Sequence, residues 1–191
     1  MCRNQSLLGL PKQPFMPRSC PCIICITTKT VHPPRAKHTS QIITKRGQLL
    51  HIDFSFWNTS SIRGFTSLLS IIDGKDRMLW NFPMASKRPP LMILDFFFTM
   101  LERDGITIQA IRVDEDGALA NSSEFSDFLL DRKISLDTTG GYASFLNGKI
   151  ERPHRTIAQM VRSLLLNSGL PSTLWCYAAE TAADIYRYRY H

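Results

Sequence analysis

The sequence predicts an α/β fold, a mixed five-stranded sheet flanked by helices. Residues 49–56, 65–73 and 77–85 are short apolar runs separated by polar and glycine-containing turns, a pattern typical of an antiparallel meander. After them, apolar side chains recur at three- and four-residue steps over residues 91–101, which indicates an amphipathic helix. Strand and helix patterns then alternate, so the predicted order is β-β-β-α-β-α-β-α-α.

The second half of the chain supplies the remaining elements. The first helix is expected to stop at Gly105, and residues 108–113 are expected to form the fourth strand. Residues 122–133 predict a helix that Ser122 or Ser123 would cap, and residues 134–138 a short fifth strand. A long helix follows, with one apolar face formed by Ile157, Met160, Val161, Leu164 and Leu165. We expect the last helix to begin at Pro171, a favoured first-turn position.

The N-terminal quarter differs from the rest in composition and charge. The net charge is +7, and the first 50 residues hold eight Lys and Arg but no Asp or Glu. A polyanion is the natural partner of such a segment, although a solvated basic tail is the alternative. We expect a small irregular module in residues 1–30, a basic linker in residues 31–47 and the main domain in residues 48–191.

The sequence gives no indication of a membrane partner. The longest apolar run, residues 91–101, is interrupted by Asp95 and is too short to span a bilayer. No apolar core follows a basic start at the N-terminus, so no signal peptide is predicted. We therefore expect an intracellular protein.

Three carboxylates lie where an acidic residue is unexpected. Asp53 interrupts an apolar strand, Asp114 closes the fourth strand, and Glu151 opens the long helix. Each has a structural alternative: a solvent-facing strand position, an acidic turn, or a favourable interaction with the helix dipole. Together, carboxylates from separate elements could hold two hard divalent cations for in-line phosphodiester chemistry.

These carboxylates lie in three local motifs that resemble those of a known family. Segment 50–53 (Leu-His-Ile-Asp) resembles the first motif of retroviral-type integrases, and segments 112–114 and 123–125 resemble the second. Segments 147–152 (Asn-Gly-Lys-Ile-Glu-Arg) and 154–156 resemble the third, and residues 169–180 are similar to the stretch that follows it in copia-type polyproteins. The chain thus resembles a Ty1/copia-type retrotransposon integrase over residues 45–190, shortened at both ends.

The resemblance implies an RNase H-like fold and DNA integration by metal-dependent polynucleotidyl transfer, with Mg²⁺ or Mn²⁺ as a two-ion cofactor. Asp53, Asp114 and Glu151 would be the catalytic, metal-binding carboxylates, with Asp116 as an alternative for the second. Element ends and target DNA would be the partners of a nuclear homo-oligomer. A catalytically silent nucleic-acid-binding remnant and another RNase H-like nuclease remain as alternatives.

The cysteines suggest a metal site and not a disulfide framework. There are five, and an odd number without regular pairing does not fit a secreted scaffold. Cys22 and Cys25 have the spacing that lets two thiolates bind one Zn²⁺, and they stand where copia-type integrases carry an HHCC module. Cys20 is a possible third ligand, and His32 and His38 are candidate substitutes for the His pair. Surface or redox cysteines are the alternative, and Cys176 is expected in the core.

Basic residues surround the third motif. Lys149, Arg152, His154 and Arg155 are predicted to contact DNA phosphates, which would add affinity without sequence readout. A solvated helix start with an ion pair between Glu151 and Arg155 is the alternative. The three tryptophans, Trp57, Trp80 and Trp175, are expected to be core residues, not base-stacking platforms.

Overall fold

The computed structural model describes residues 42–86, 88–114, 118–139 and 148–188. Five strands and four helices occur in the predicted order. The strands are β1 (Leu50–Phe56), β2 (Ser67–Asp73), β3 (Leu79–Met84), β4 (Ala110–Asp114) and β5 (Ser135–Thr139). The helices are α1 (Leu91–Arg103), α2 (Ser123–Asp131), α3 (Gly148–Ser168) and α4 (Trp175–Arg187), with a 3-10 turn at Ser172–Leu174.

The strands form one mixed sheet in the order β3-β2-β1-β4-β5. β1 pairs antiparallel with β2, and β2 antiparallel with β3, as the short turns between these strands predicted. β4 is parallel to both β1 and β5. Helix α2 provides the crossover from β4 to β5, whereas β2, β3 and α1 lie between β1 and β4 along the chain. The predicted mixed five-stranded sheet is confirmed, and β1 lies at its centre.

Each face of the sheet packs against its own pair of helices. On one face Ile52, Ile71 and Ile111 belong to a buried cluster with side chains of α1 and α2. On the other face Leu68 and Leu79 pack with α3 and α4. Successive side chains of a strand point to opposite faces, so odd-numbered residues of β1 face α3 and α4.

Helix α2 begins where the sequence predicted. Ser122 precedes it in extended conformation, and its hydroxyl accepts a hydrogen bond from the backbone N–H of Phe125 at 3.2 Å. This satisfies one of the N–H groups that have no partner inside the helix. Ser122, and not Ser123, is therefore the cap.

The last helix starts later than expected. Pro171 has φ −65° and ψ 148°, an extended conformation that cannot belong to a helix. The backbone N–H of Leu174 bonds to the carbonyl of Pro171 at 3.0 Å, which closes a tight turn before the regular helix begins at Trp175. The expectation of a helix start at Pro171 is thus wrong by one turn.

Pro153 lies inside α3, two residues after Glu151. A proline removes one backbone hydrogen bond and crowds the preceding turn. In α3 this occurs near the helix start, and the following turns bury Ile157 and Val161 completely against the sheet. Burial of that apolar face favours an unbroken helix, which includes Glu151.

Two stacked tryptophans join the loop after β1 to α4. The rings of Trp57 and Trp175 lie 4.7 Å apart and within 4° of parallel. The indole N–H of Trp175 donates to the carbonyl of Thr59 at 2.9 Å. Trp175 and Cys176 are fully buried, so the prediction that they belong to the core is confirmed.

Several expectations fall outside the described residues. They concern the module in residues 1–30 with Cys20, Cys22, Cys25 and its substitute ligands, most of the linker, and Asp116. Among the helices in the described part of the chain, none has the length and apolar character needed to cross a membrane.

Candidate active site

Asp53 lies in the middle of the central strand. It is on the sheet face that α3 covers, and its side chain is 35% exposed. Its Oδ1 accepts a hydrogen bond from the backbone N–H of Phe54 at 2.7 Å. The carboxylate is thus neither at a sheet edge nor turned fully to solvent, which were the structural alternatives for this position.

Asp114 occupies the matching position on the neighbouring parallel strand. β1 and β4 pair with Leu50 opposite Ile111 and His51 opposite Arg112. Two residues further along the same register, Asp53 corresponds to Asp114, which ends β4 and is exposed. Adjacent strands lie roughly 4.8 Å apart, and matched positions point to the same face. By this extension of the register, the two predicted carboxylates lie on neighbouring interior strands and on the same face of the sheet.

Glu151 belongs to α3, the helix that covers this face. Its side chain lies outside the described part of the structure. Its backbone is three residues before His154, which is roughly 4.5 Å along a helix axis. Since His154 contacts Asp53, the helical turn that carries Glu151 lies close to β1.

His154 faces Asp53. Its Nδ1 lies 3.6 Å from Oδ2 of Asp53, and its side chain is only 14% exposed. Burial lowers the pKa of His154 from 6.5 to about 4, because an imidazolium would lose its hydration. At neutral pH the contact is therefore between a neutral imidazole and a carboxylate.

A polar row continues from Asp53 across the sheet. Ser70 of β2 pairs with Asp53, and Asn81 of β3 pairs with Ser70. The Ser70 hydroxyl donates to Oδ1 of Asn81 at 2.8 Å. These positions face the same side as Asp53, so polar side chains interrupt an otherwise apolar surface beneath α3. The sequence analysis missed this row, although Ser70 and Asn81 stand out within apolar runs.

A small cleft of about 80 Å³ opens beside His154. Ser55, Trp57 and Ser70 line it from the sheet side, and His154 and Arg162 from α3. Nε2 of His154 and Nε1 of Trp57 are buried and have no hydrogen-bond partner among the described residues.

Two other carboxylates on the sheet have structural partners. Asp73 is buried, and its oxygens accept hydrogen bonds from the backbone N–H groups of Gly47 and Lys75, both at 2.7 Å. Asp137 pairs with the buried guanidinium of Arg112 across β4 and β5, accepting from Nε at 3.0 Å. These acids stabilise a turn and a strand pair.

The donor chemistry fits a hard divalent cation, since Asp53 and Asp114 offer only oxygen. Among the side chains that the structure describes, no three His, Cys, Asp or Glu residues form a group able to hold a metal ion. The third predicted ligand, Glu151, is outside that set. Asp53 and Asp114 are thus the two predicted ligands whose side chains the structure describes.

Three arginines of α3 are exposed. Arg152, Arg155 and Arg162 are exposed, whereas His154 is turned inward. The side chain of Lys149 lies outside the described residues. Arg155 and Arg162 are seven residues apart and share a helix face. Two of the four residues predicted to contact DNA thus face solvent, and Arg162 is a further exposed arginine that was not predicted.

Solved structures of similar fold are integrases and their assemblies. The chain matches a chain of the simian T-cell lymphotropic virus intasome in complex with the PP2A regulatory subunit B56 gamma, with a TM-score of 0.60 and 16% identity over 85% of this chain and 55% of that chain. It also matches the HTLV-2 integrase catalytic core domain in complex with magnesium, in its dimeric form, with a TM-score of 0.53 and 17% identity over 73% of this chain and 85% of that one. The predicted RNase H-like fold of integrase catalytic cores is confirmed.

Relatives by sequence are polyproteins of plant transposons. The retrovirus-related Pol polyprotein from transposon TNT 1-94 of Nicotiana tabacum is 30% identical over 123 residues, 64% of this chain and 9% of the relative. That from transposon RE2 of Arabidopsis thaliana is 27% identical over 164 residues, 84% of this chain and 11% of the relative. No protein-family model matches the chain.

The class that these comparisons define is one of fold, that of integrase catalytic cores. The chain is a homologue of the retrovirus-related Pol polyproteins of plant transposons and spans about a tenth of the length of these curated relatives, 9% and 11%.

Proposed function

We propose that this chain is the catalytic core of a copia-type retrotransposon integrase, which joins DNA by metal-dependent polynucleotidyl transfer. The observation that carries the proposal is the register of β1 and β4, which pairs Leu50 with Ile111 and His51 with Arg112. Extended by two residues, this register sets Asp53 opposite Asp114, and the proposal takes Glu151 of α3 as the third carboxylate. The similarity to Pol polyproteins and to integrase cores supports the same assignment.

In this proposal Asp53, Asp114 and Glu151 hold two Mg²⁺ or Mn²⁺ ions. The HTLV-2 core was solved with magnesium, which supports a divalent cofactor here. When bound, such ions activate an attacking hydroxyl and stabilise a leaving oxygen in in-line displacement. Asp114 is preferred to Asp116 as the second ligand because its position at the end of β4 matches that of Asp53.

The chain's own residues would position the DNA. Arg152 and Arg155 are exposed beside the carboxylates and would bind phosphates on either side of the scissile bond, as would Lys149. A 3′-hydroxyl or water attacks the phosphorus, the bond to the leaving oxygen breaks, and the proton leaves to solvent. No covalent intermediate with the protein is required.

The remaining assignments follow from this function. Residues 1–30 would form a partial zinc-binding module with Cys22 and Cys25 as ligands, residues 31–47 a basic linker, and residues 48–191 the catalytic core. Element ends and target DNA would be the partners. The HTLV-2 core has dimeric and trimeric forms, which supports a homo-oligomer, and DNA integration would place it in the nucleus.

The test is a strand-transfer assay. Purified protein is incubated with processed element ends, target DNA and Mg²⁺, and joined strands are measured on a gel. We expect the wild type to join strands and Asp53→Asn, which keeps the side chain's size but removes a metal-binding charge, to lose that activity.

Two outcomes separate the alternatives. A wild type that binds DNA but joins no strands with either metal would support a catalytically silent remnant. Cleavage of RNA/DNA hybrids without strand joining would support another RNase H-like nuclease. Equal joining by the wild type and Asp53→Asn would refute the proposed role of the carboxylates.

A further inference from the structure

We infer that His154 is a positioning residue, which orients the Asp53 carboxylate for metal binding from the opposite side of the helix–sheet interface. The inference rests on the proposed function. It gives His154 a task different from the phosphate contact that the sequence suggested. The 14% exposure of the side chain and its 3.6 Å approach to Asp53 favour the new assignment.

Both oxygens of Asp53 face a group that can donate a hydrogen. Oδ1 accepts from the backbone N–H of Phe54 at 2.7 Å, and Oδ2 faces Nδ1 of His154 at 3.6 Å. A carboxylate with a contact at each oxygen has restricted rotation about its side-chain bonds. Each oxygen retains further lone pairs for a cation, so the two contacts fix the direction in which those lone pairs point.

The packing of α3 determines where the ring lies. Pro153, Ile157 and Val161 are buried on the side of the helix that faces the sheet. His154 neighbours Pro153 and stands one turn before Ile157, so this buried face carries the imidazole to β1. Arg152 and Arg155, on either side along the chain, remain exposed.

The hydrogen-bonding chemistry of the imidazole agrees with its orientation towards Asp53. A neutral imidazole has one N–H donor and one acceptor nitrogen, whereas an ionised carboxylate only accepts. The hydrogen therefore belongs on Nδ1, which faces Asp53. Nε2 is buried without a hydrogen-bond partner among the described residues, so no second polar contact with described residues competes for the orientation of the ring.

Groups that hold a metal ligand in place affect metal affinity although they do not touch the metal. Loss of such an outer contact typically weakens metal binding by about 10- to 100-fold. A histidine with only a packing role would change stability and leave metal affinity unaltered. Metal affinity and stability therefore have to be measured on the same variants.

The experiment measures Mn²⁺ binding to the full chain by isothermal titration calorimetry, without DNA. Three variants differ in where they place a donor: His154→Asn puts an amide nitrogen near the position of Nδ1, His154→Gln puts it near Nε2, and His154→Leu has none. We expect about a tenfold loss of Mn²⁺ affinity in the Gln and Leu variants. The Asn variant should stay within about threefold of the wild type, since its donor still reaches Asp53.

Thermal unfolding of the metal-free proteins shows whether each variant folds and how stable it is. A Leu variant that matches wild-type Mn²⁺ affinity, or an Asn variant as weak as the Leu variant, would overturn the inference. Asp53→Asn provides the reference for the site itself. If the wild type binds Mn²⁺ and Asp53→Asn does not, the proposed metal site is supported whatever the His154 variants show. A wild type that binds no Mn²⁺ refutes both the metal site and the positioning role of His154.

Discussion

His154 of α3 and Asp53 of β1 meet across the helix–sheet interface, with Nδ1 and Oδ2 3.6 Å apart. One residue belongs to the central strand, and the other follows Glu151 by three positions on the helix. The contact therefore connects the two elements that carry the first and third predicted carboxylates. Correct packing of α3 on the sheet is a condition for assembling the site.

Mg²⁺ should stabilise the wild type against heat and should not stabilise Asp53→Asn. A ligand that binds only the folded state adds about 2.7 kcal/mol at a concentration of 100 times its dissociation constant. Differential scanning calorimetry with increasing Mg²⁺ measures the rise in unfolding temperature. An equal rise in Asp53→Asn would contradict metal binding at this carboxylate.

The metal-free protein should lose stability between pH 7.5 and pH 5 because of His154. Its pKa is about 4 in the folded state and 6.5 in the unfolded chain, so only the unfolded state takes up the proton over most of this range. The difference in proton uptake lowers the free energy of unfolding by about 2 kcal/mol at pH 5.

Urea unfolding in the presence of EDTA at both pH values measures this loss. His154→Asn serves as the comparison, because other titrating groups, including His51, are the same in both proteins. We expect the wild type to lose about 2 kcal/mol more than the variant. Parallel losses in the two proteins would show that His154 titrates normally.

Gly47→Ala should destabilise the domain more than Gly64→Ala. Both glycines have positive φ, 74° and 78°, but a Cβ on Gly47 would lie 2.5 Å from the carbonyl oxygen of Thr107, whereas one on Gly64 would meet nothing within 4 Å. Gly64→Ala thus measures backbone strain alone, about 1 kcal/mol. Gly47→Ala adds a clash and should exceed about 2 kcal/mol in urea unfolding; equal effects would show that the Thr107 contact relaxes without cost.

Arg155→Ala should weaken DNA binding and reduce its dependence on salt. Each lost phosphate contact lowers the slope of log affinity against log salt concentration by about 0.9 for duplex DNA. Fluorescence anisotropy with labelled duplex at several salt concentrations measures both effects. Arg103→Ala is the matched control, because Arg103 is also exposed but belongs to α1 on the opposite side of the sheet; identical slopes for the two variants would place the DNA elsewhere.

The element order was predictable because local patterns determine it. Ser122 was foreseen as one of two possible caps, and the buried residues of α3 were foreseen from their spacing. The relation between Asp53 and Asp114 was not visible in the sequence, because it depends on the register of two strands that are distant along the chain. The prediction that both residues bind the same metal ions came from the family resemblance alone.

The inward orientation of the His154 side chain was also not predicted from the sequence. Four polar residues follow one another closely around Glu151, and nothing in their order tells which side chain turns inward. That choice depends on how α3 rotates when Ile157 and Val161 are buried, and on the helix continuing through Pro153. Both are results of packing between α3 and the sheet.

The parallel indoles of Trp57 and Trp175, 4.7 Å apart, give the fold an optical property of its own. Rings this close couple their electronic excitations, so their contribution to far-ultraviolet circular dichroism depends on their mutual orientation. Trp57 follows the strand that carries Asp53, and Trp175 begins the helix that packs on α3. The same spectrum that reports backbone content therefore also reports whether α4 is docked.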